Sequence, residues 1–180
     1  MKKAILILVT LLVSGCFASS RYSGDGTLID HGMLAAADRF VLDLGSVDFS
    51  TKNRREYSLS RLPRERFTIG LKWQSARLSD AELKGMKIRL RVLLTNERNE
   101  RVVDRESRLG DWVWNQTSTD TFAYLTDREP RNEKTVDGGW GTYFEPRRRG
   151  TYRLTLEVVE ADPAAKNLTF RLVARGGGWK

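Results

Sequence analysis

The chain has 180 residues, of which 40% are hydrophobic and 30% are charged, and its Lys and Arg outnumber its Asp and Glu by 31 to 23. This length suits one domain built around a single buried core. A lone Cys excludes a disulfide within the chain, and one Cys with one His supplies too few ligands for a typical zinc site.

The first 16 residues follow the three-part pattern of a secretion signal. Lys2 and Lys3 precede an apolar run over residues 4–12 in which Thr10 is the one polar residue, and small residues follow at the predicted cut. The run has roughly half of the ~20 residues that a spanning helix needs, so it predicts a cleaved leader. Because export removes the chain from the cytoplasm, we expect no nucleic-acid partner for the excess of basic residues.

Val13, Ser14, Gly15 and Cys16 end this segment and resemble the lipobox of bacterial lipoproteins. The resemblance implies cleavage between Gly15 and Cys16, a diacylglyceryl group on the Cys16 sulfur and an acyl chain on the new amine. We expect no other cofactor. Two or more acyl chains anchor stably, since each buried CH₂ contributes about 0.8 kcal/mol. Phe17 stands where Asp usually marks retention in the inner membrane, so the resemblance implies the outer membrane, with the domain facing the periplasm or the cell surface.

The predicted organisation has three parts. Residues 1–15 are the signal peptide, residues 16–26 are a lipidated tether made flexible by Ser and Gly, and residues 27–180 are one domain. The signal contains two lysines and no acid, so its removal lowers the net charge from +8 to +6. We expect such a basic exported domain to meet anionic lipids, anionic glycans or acidic proteins.

Alternation of apolar and polar residues with period two dominates the predicted domain and indicates strands with one buried face. The clearest segments are residues 67–73, 88–94, 152–158 and 168–172. Weaker segments are residues 27–33, 40–44, 56–60, 101–105, 112–115, 121–125 and 141–144. Turn residues predict hairpins at residues 96–100 and 162–167, the second pairing the last two strands.

Helical signals are confined to residues 79–85, where Ser79 and Glu82 have capping-box spacing and predict one short helical turn. Many short strands around one core predict an all-β fold, an antiparallel β-sandwich of immunoglobulin-like or jelly-roll-like type. An up-and-down barrel is the alternative.

The connection into the strand at residues 152–158 resembles the tyrosine corner of immunoglobulin-like and fibronectin-type domains. Pro146 is followed by Gly150 and then by Tyr152 at the start of the strand. The resemblance implies that the Tyr152 hydroxyl hydrogen-bonds the backbone of the preceding connection and locks the crossover between sheets. The Cys pair of antibody domains is absent, so any kinship would be to disulfide-free relatives.

Aromatic residues concentrate on both sides of a polar segment at residues 127–141. Trp140 stands between glycines, where no periodicity requires burial, so Trp140 and Tyr143 predict an exposed stacking or partner-binding surface. A plug that closes one end of the sandwich is the alternative for Trp140. Trp112 and Trp114 share the parity of one strand face, which a core face explains without a ligand.

Two basic features are candidates for binding anions. Arg147, Arg148 and Arg149 are adjacent and predict a positive ridge, with a solvated turn as the alternative. The second feature is an outward stripe, continuous only if its strands are neighbours, made of Lys72, Arg89, Arg91, Arg153 and Arg171.

The sequence predicts no catalytic residue and no metal site. His31 is the only histidine and therefore the only candidate for a histidine base, and the chain has no Gly-x-Ser-x-Gly motif. We therefore expect a non-enzymatic binding module of the cell envelope that engages a protein or an anionic envelope polymer, an inhibitor or immunity protein being one form. A carbohydrate-binding module and a hydrolase that uses two carboxylates are the alternatives.

Overall fold

The computed structural model describes residues 22–32, 35, 38–73, 82, 85–116, 121–124 and 142–177. Within these residues the chain forms twelve strands. In chain order they are β1 (Ser23–Gly24), β2 (Thr27–Asp30), β3 (Phe40–Val47), β4 (Arg54–Ser60), β5 (Phe67–Trp73), β6 (Arg89–Asn96), β7 (Arg101–Arg108), β8 (Val113–Gln116), β9 (Thr121–Tyr124), β10 (Tyr143–Phe144), β11 (Thr151–Glu160) and β12 (Phe170–Gly176).

The strands form two antiparallel sheets. The five-stranded sheet has the order β1-β4-β11-β6-β7. The seven-stranded sheet has the order β2-β3-β12-β5-β9-β8, and β10 pairs with β5. The prediction of an all-β antiparallel sandwich is confirmed.

The core follows from the alternation within each strand. In β5, Phe67, Ile69 and Leu71 are fully buried, and in the other sheet Leu90 and Leu154 join the same core. Strand side chains alternate between faces, so every second residue of these strands points inward. Burial of each such side chain stabilises the fold by about 1.5–3 kcal/mol.

A smaller apolar cluster lies on the outer face of the seven-stranded sheet. Phe122 pairs in register with Lys72, so its ring lies on the face opposite the core, and it is buried together with Val173. Gly70 makes room for the ring, because a Cβ at Gly70 would lie 2.5 Å from a Phe122 ring carbon. The Arg175 guanidinium lies 4.2 Å from the centroid of the same ring.

The sandwich begins before residue 27, so the predicted end of the tether at residue 26 is wrong. Ser23 pairs with Ser60 in the five-stranded sheet. The Asp25 carboxylate accepts a hydrogen bond from the Ser58 N–H at 2.7 Å, and the Asp25 N–H donates to the Ser58 carbonyl at 2.8 Å. Backbone groups make most of this pairing, and every residue type except proline supplies them, which is why the Ser- and Gly-rich composition concealed it.

The two predicted hairpins have different outcomes. The hairpin at residues 96–100 is confirmed, since β6 pairs with β7 and the Asn96 N–H donates to the Glu100 carbonyl at 3.0 Å. The hairpin at residues 162–167 is wrong, because β11 and β12 belong to different sheets and residues 161–169 cross between them. Turn residues mark a reversal of the chain, but they do not specify whether the next strand joins the same sheet.

Helical backbone is scarce in the described residues. Glu82 and Gly85 are helical, in agreement with the predicted turn at residues 79–85, whose other members lie outside the described residues. Single 3₁₀ turns occupy Leu109–Asp111 and Pro163–Asn167. Across the described ranges, no helix is long and apolar enough to cross a membrane.

Candidate functional site

The two ends of the sandwich receive different connections. Register places Ser60 beside both Ser23 and Thr151, and it places Gly176 beside both Phe40 and Phe67. Among the described residues, this end includes residues 38–39, 61–66, 97–100, 145–150 and 177, and we call these residues the arginine end. They contain eight arginines and no lysine.

At the opposite end, the described connections at residues 48–53, 87–88 and 161–169 contain lysines and aspartates and no arginine, and we call these residues the aspartate end. The Asp162 N–H donates to the Phe49 carbonyl at 3.1 Å, and the Asp162 carboxylate accepts from the Lys87 N–H at 3.0 Å. These bonds join the three connections of the aspartate end to one another.

Tyr152 shapes the connection between β10 and β11 at the arginine end. Its ring is buried, and its hydroxyl accepts a hydrogen bond of 2.7 Å from the Arg147 N–H. The Gly150 N–H donates to the Arg147 carbonyl at 3.0 Å, and Pro146 is buried. This is the contact implied by the resemblance to a tyrosine corner, and it fixes the backbone from which the three predicted arginines extend.

Arg61 joins these three arginines in space. Its N–H donates to the Gly150 carbonyl at 3.2 Å, so the connection after β4 touches the connection after β10. The side chains of Arg61, Arg147, Arg148 and Arg149, which we call the arginine corner, are exposed and form no ion pair within the described residues. Arg61 and Arg149 have φ angles of 57° and 60°, in the left-handed region that favours glycine or asparagine.

A pocket of about 420 Å³ lies at the arginine end. It opens on the outer face of the seven-stranded sheet, because Thr68 and Arg175 pair in register and alternate with core residues. Its charged lining residues are Asp38, Arg64, Glu65, Arg66, Glu145 and Arg175, and we call it the polar pocket.

The guanidinium groups of the polar pocket are held to different degrees. The Arg66 Nε and Nη2 atoms each lie 3.1 Å from Glu145 Oε1. Arg175 Nη1 lies 3.5 Å from Asp38 Oδ2, while the buried Arg175 Nε finds no hydrogen-bond partner among the described residues. Arg64 is exposed and forms no ion pair there. The pocket therefore offers both a fixed and a free guanidinium to an incoming acceptor.

Asp38 is the titratable group of the pocket whose environment changes its protonation. Burial raises the pKa of Asp38 above its ordinary value of 3.8, and the nearby Arg175 guanidinium offsets part of that rise. Asp38 therefore takes up a proton at a higher pH than an exposed Asp, and its protonation weakens its hold on Arg175.

The other predicted site residues have separate outcomes. Tyr143 is half-buried, and the Arg66 guanidinium lies 5.9 Å from its ring centroid, so Tyr143 stands beside the polar pocket. Trp140 lies outside the described residues, as do Gly15 and Cys16, and the predictions for these three stay predictions. Trp112 is buried ahead of β8, where its indole N–H donates to Ser107 Oγ at 2.9 Å.

The predicted outward stripe of basic residues is not continuous. Lys72 and Arg171 pair in the seven-stranded sheet, whereas Arg89, Arg91 and Arg153 belong to the five-stranded sheet. Three of these arginines also form local ion pairs. Arg91 pairs with Asp104 and Arg171 pairs with Asp43, both at 2.9 Å, and Arg89 lies 3.7 Å from both Glu106 and Glu160. The stripe is divided because its strands belong to two different sheets. Alternation along a strand does not predict which sheet that strand joins.

The polar pocket was not predicted from sequence. Asp38, Arg66, Glu145 and Arg175 come from four connections or strand ends that are distant in the chain, and the topology alone brings them together. One feature of the sequence could have indicated the pocket. Three arginines crowd into residues 61–66, a connection between predicted strands, where the alternation of a strand does not explain them.

In the described part of the chain, no group of three or more His, Cys, Asp or Glu residues is placed to hold a metal ion. His31 is exposed, and its backbone N–H donates to the Arg39 carbonyl at 2.7 Å.

Comparisons of the chain with protein-family models, with curated proteins and with solved structures found no match.

Proposed function

We propose that this protein is a lipid-tethered binding module of the bacterial cell envelope. Its Cys16 carries the diacylglyceryl and acyl groups that hold it in the outer membrane, and its folded domain binds an anionic envelope polymer without catalysing a reaction. The lipobox at residues 13–16 supports the anchor. The observation that carries the binding function is the gathering of guanidinium groups at the arginine end.

Two guanidinium groups of the polar pocket, those of Arg64 and Arg175, can bind a carboxylate-bearing ligand beside the three carboxylates of the lining. Arg175 is fixed by Asp38 and by the Phe122 ring, so little rotamer entropy is lost when it binds an acceptor. Arg64 is free of internal ion pairs within the described residues, so a ligand carboxylate does not have to displace an internal one. Peptidoglycan, whose stem peptides carry carboxylates, is the probe for such a polymer.

Cosedimentation of the lipidated protein, in detergent, with purified peptidoglycan tests the binding function. We expect Arg64→Gln to lower the affinity about tenfold, the effect of losing one charge-assisted hydrogen bond. Arg153→Gln is the matched control, because Arg153 is equally exposed and unpaired in the described residues but lies on the five-stranded sheet. No sedimentation of the wild-type protein, or equal losses in both variants, would contradict binding through the pocket.

Mass spectrometry of the N-terminal peptide tests the anchor separately. We expect the mature protein to begin at Cys16 with the mass of three acyl chains, and we expect Cys16→Ala to remain unprocessed and unlipidated. An unmodified mature N-terminus at any other residue rules out the lipoprotein assignment.

A carboxylate-dependent hydrolase is the second candidate. Asp38, Glu65 and Glu145 all line the polar pocket, and the raised pKa of Asp38, caused by burial, is the property of a general acid. If the protein is a hydrolase, it releases soluble fragments from peptidoglycan, and Asp38→Asn abolishes the release while binding persists. No release by the wild-type protein removes this candidate.

A further inference from the structure

The chain leaves the sandwich toward Cys16 from the arginine end. Ser23 lies beside Ser60 at the edge of the five-stranded sheet, and Ser60 lies beside Thr151 on its other side. Neighbouring strands are about 4.8 Å apart, so Ser23 is about 10 Å from Thr151. The exit of the chain is therefore a near neighbour of the arginine corner, since Arg61 follows Ser60 and Arg149 shortly precedes Thr151.

The tether that remains is short. Tyr22 belongs to the folded domain, because its half-buried ring packs against the core and its hydroxyl donates to the Asp25 carbonyl. Burial raises the pKa of Tyr22 to about 12. Six peptide steps separate Cys16 from Tyr22, and a fully extended chain spans at most about 20 Å over them. A lipid on Cys16 thus keeps this end of the sandwich close to the bilayer surface.

We propose that the arginine corner docks on the anionic phospholipid headgroups of the bilayer that holds the lipid on Cys16. This inference rests on the lipid anchor of the proposed function. Four exposed guanidinium groups without ion pairs in the described residues present a compact positive surface. The tether allows them to come within a Debye length, about 8 Å, of the headgroup phosphates, where the attraction of each arginine is substantial.

The backbone at the arginine corner also favours a role outside the fold. Arg61 and Arg149 keep long charged side chains at positive φ, where glycine or asparagine would be adopted at lower steric cost. Neither guanidinium forms an internal ion pair in the described residues that would offset the steric cost. An external partner for the side chains accounts for this arrangement.

The polar pocket and the arginine corner share the connections at residues 61–66 and 145–150. The pocket opens on the outer face of the seven-stranded sheet, and the exit of the chain lies on the other side of the corner, at the edge of the five-stranded sheet. In the docked orientation the pocket therefore adjoins the corner that faces the membrane.

Amide hydrogen exchange of the full lipidated protein in vesicles tests the docking. Exchange at residues 61–62 and 147–150 is compared in vesicles of phosphatidylcholine alone and in vesicles with one-quarter phosphatidylglycerol. We expect exchange to be slower only in the vesicles that contain phosphatidylglycerol. We expect high salt to restore the faster exchange. The ratio of docked to undocked protein should fall about fivefold for each arginine replaced, or about a hundredfold in Arg147→Gln/Arg148→Gln/Arg149→Gln.

The matched control is Lys52→Gln/Arg108→Gln/Lys166→Gln, which removes the same charge from exposed positions far from the arginine corner. We expect it to dock like the wild-type protein. Equal exchange in the two kinds of vesicle, or equal losses in the two triple variants, overturns the inference while the anchor stands. Protection by free inorganic phosphate alone shows a phosphate site in place of a membrane-docking surface and also overturns it. Mass spectrometry that finds no lipid on Cys16 overturns the anchor and the inference together.

Discussion

The arginine end and the aspartate end use their charged side chains in opposite ways. At the aspartate end, Asp48 accepts from the Ser50 N–H at 2.8 Å, and Asp162 accepts from the Lys87 and Ala164 N–H groups at 3.0 Å. At the arginine end, the arginine corner makes no ion pair within the described residues. These two carboxylates of the aspartate end bind its own backbone, whereas the guanidinium groups of the arginine corner remain available to a partner.

The difference teaches how to separate structural charges from functional ones. An aspartate that caps nearby N–H groups satisfies donors that would otherwise lack a partner, so it contributes to the free energy of unfolding. An exposed arginine without an internal acceptor contributes little to that free energy. Replacement of charges at the aspartate end should therefore alter stability, and replacement at the arginine corner should alter binding.

The largest expected effect comes from breaking the part-buried hydrogen bond between the Arg147 N–H and the Tyr152 hydroxyl at the arginine end. Tyr152→Phe leaves the Arg147 N–H without its acceptor and should lower the free energy of unfolding by about 1–3 kcal/mol, measured by urea denaturation. Tyr57→Phe is the matched control, because the Tyr57 hydroxyl is buried and has no hydrogen-bond partner among the described residues. We expect Tyr57→Phe to be neutral or stabilising. Equal losses in both variants would show that the Tyr152 hydroxyl bond is unimportant.

The next effect concerns the cap at the aspartate end. Asp162→Ala removes the acceptor for Lys87 and Ala164 and should cost about 1 kcal/mol in the same measurement. In the double variant with Tyr152→Phe, the loss of unfolding free energy should equal the sum of the two single losses to within about 0.5 kcal/mol. The two positions are independent because β11 separates them by about 33 Å. A larger coupling energy would contradict the independence of the two ends.

The two ends should respond to pH with opposite signs. Hydrogen bonds from Ser50 lower the pKa of Asp48, and backbone hydrogen bonds from Lys87 and Ala164 lower the pKa of Asp162, so their stabilisation is present above 3.8 and is lost as pH falls through the lower folded values. Burial raises the pKa of Asp38, so its contribution declines as pH rises from 3.8 through the higher folded value.

Thermal unfolding between pH 2 and 6 measures these slopes. Asp162→Asn should reduce the rise of stability with pH, and Asp38→Asn should make that rise steeper. The effects are small because Asp162 is nearly exposed and solvent screens it. The same change of slope in both variants would show that the two ends do not differ in this way.

The smallest expected effect on stability is at the arginine corner. Arg147→Gln/Arg148→Gln/Arg149→Gln should change the free energy of unfolding by no more than about 0.5 kcal/mol, because the side chains are exposed and make no ion pair in the described residues. Urea denaturation beside Asp162→Ala checks this. A loss as large as that of Asp162→Ala would place the arginines among the structural charges.

Sequence reasoning found the strands more readily than their partners. The alternation of apolar and polar residues was enough to predict β5. A strand with one buried face shows this pattern whichever strand lies beside it. Alternation did not predict that β11 and β12 belong to different sheets. It also did not predict β1, which has only two residues and no buried side chain.

The candidate site was predicted only where its residues are adjacent in the chain. Arg147, Arg148 and Arg149 were evident as a run, and Tyr152 was indicated by the resemblance to a tyrosine corner. Asp38 and Arg175 were not evident, because their proximity depends on the pairing of β3 with β12.

The sequence by itself determined the all-β class, the absence of an internal disulfide, and the positions of the basic run and of the segment at residues 13–16 that resembles a lipobox. These properties depend on composition and on local periodicity, which a chain carries whether or not it is folded. The tertiary structure alone decided which strands share a sheet, which carboxylates meet which guanidinium groups, and that the chain exits beside the arginine corner. Those properties depend on contacts between residues distant in sequence, and only packing of the two sheets selects them.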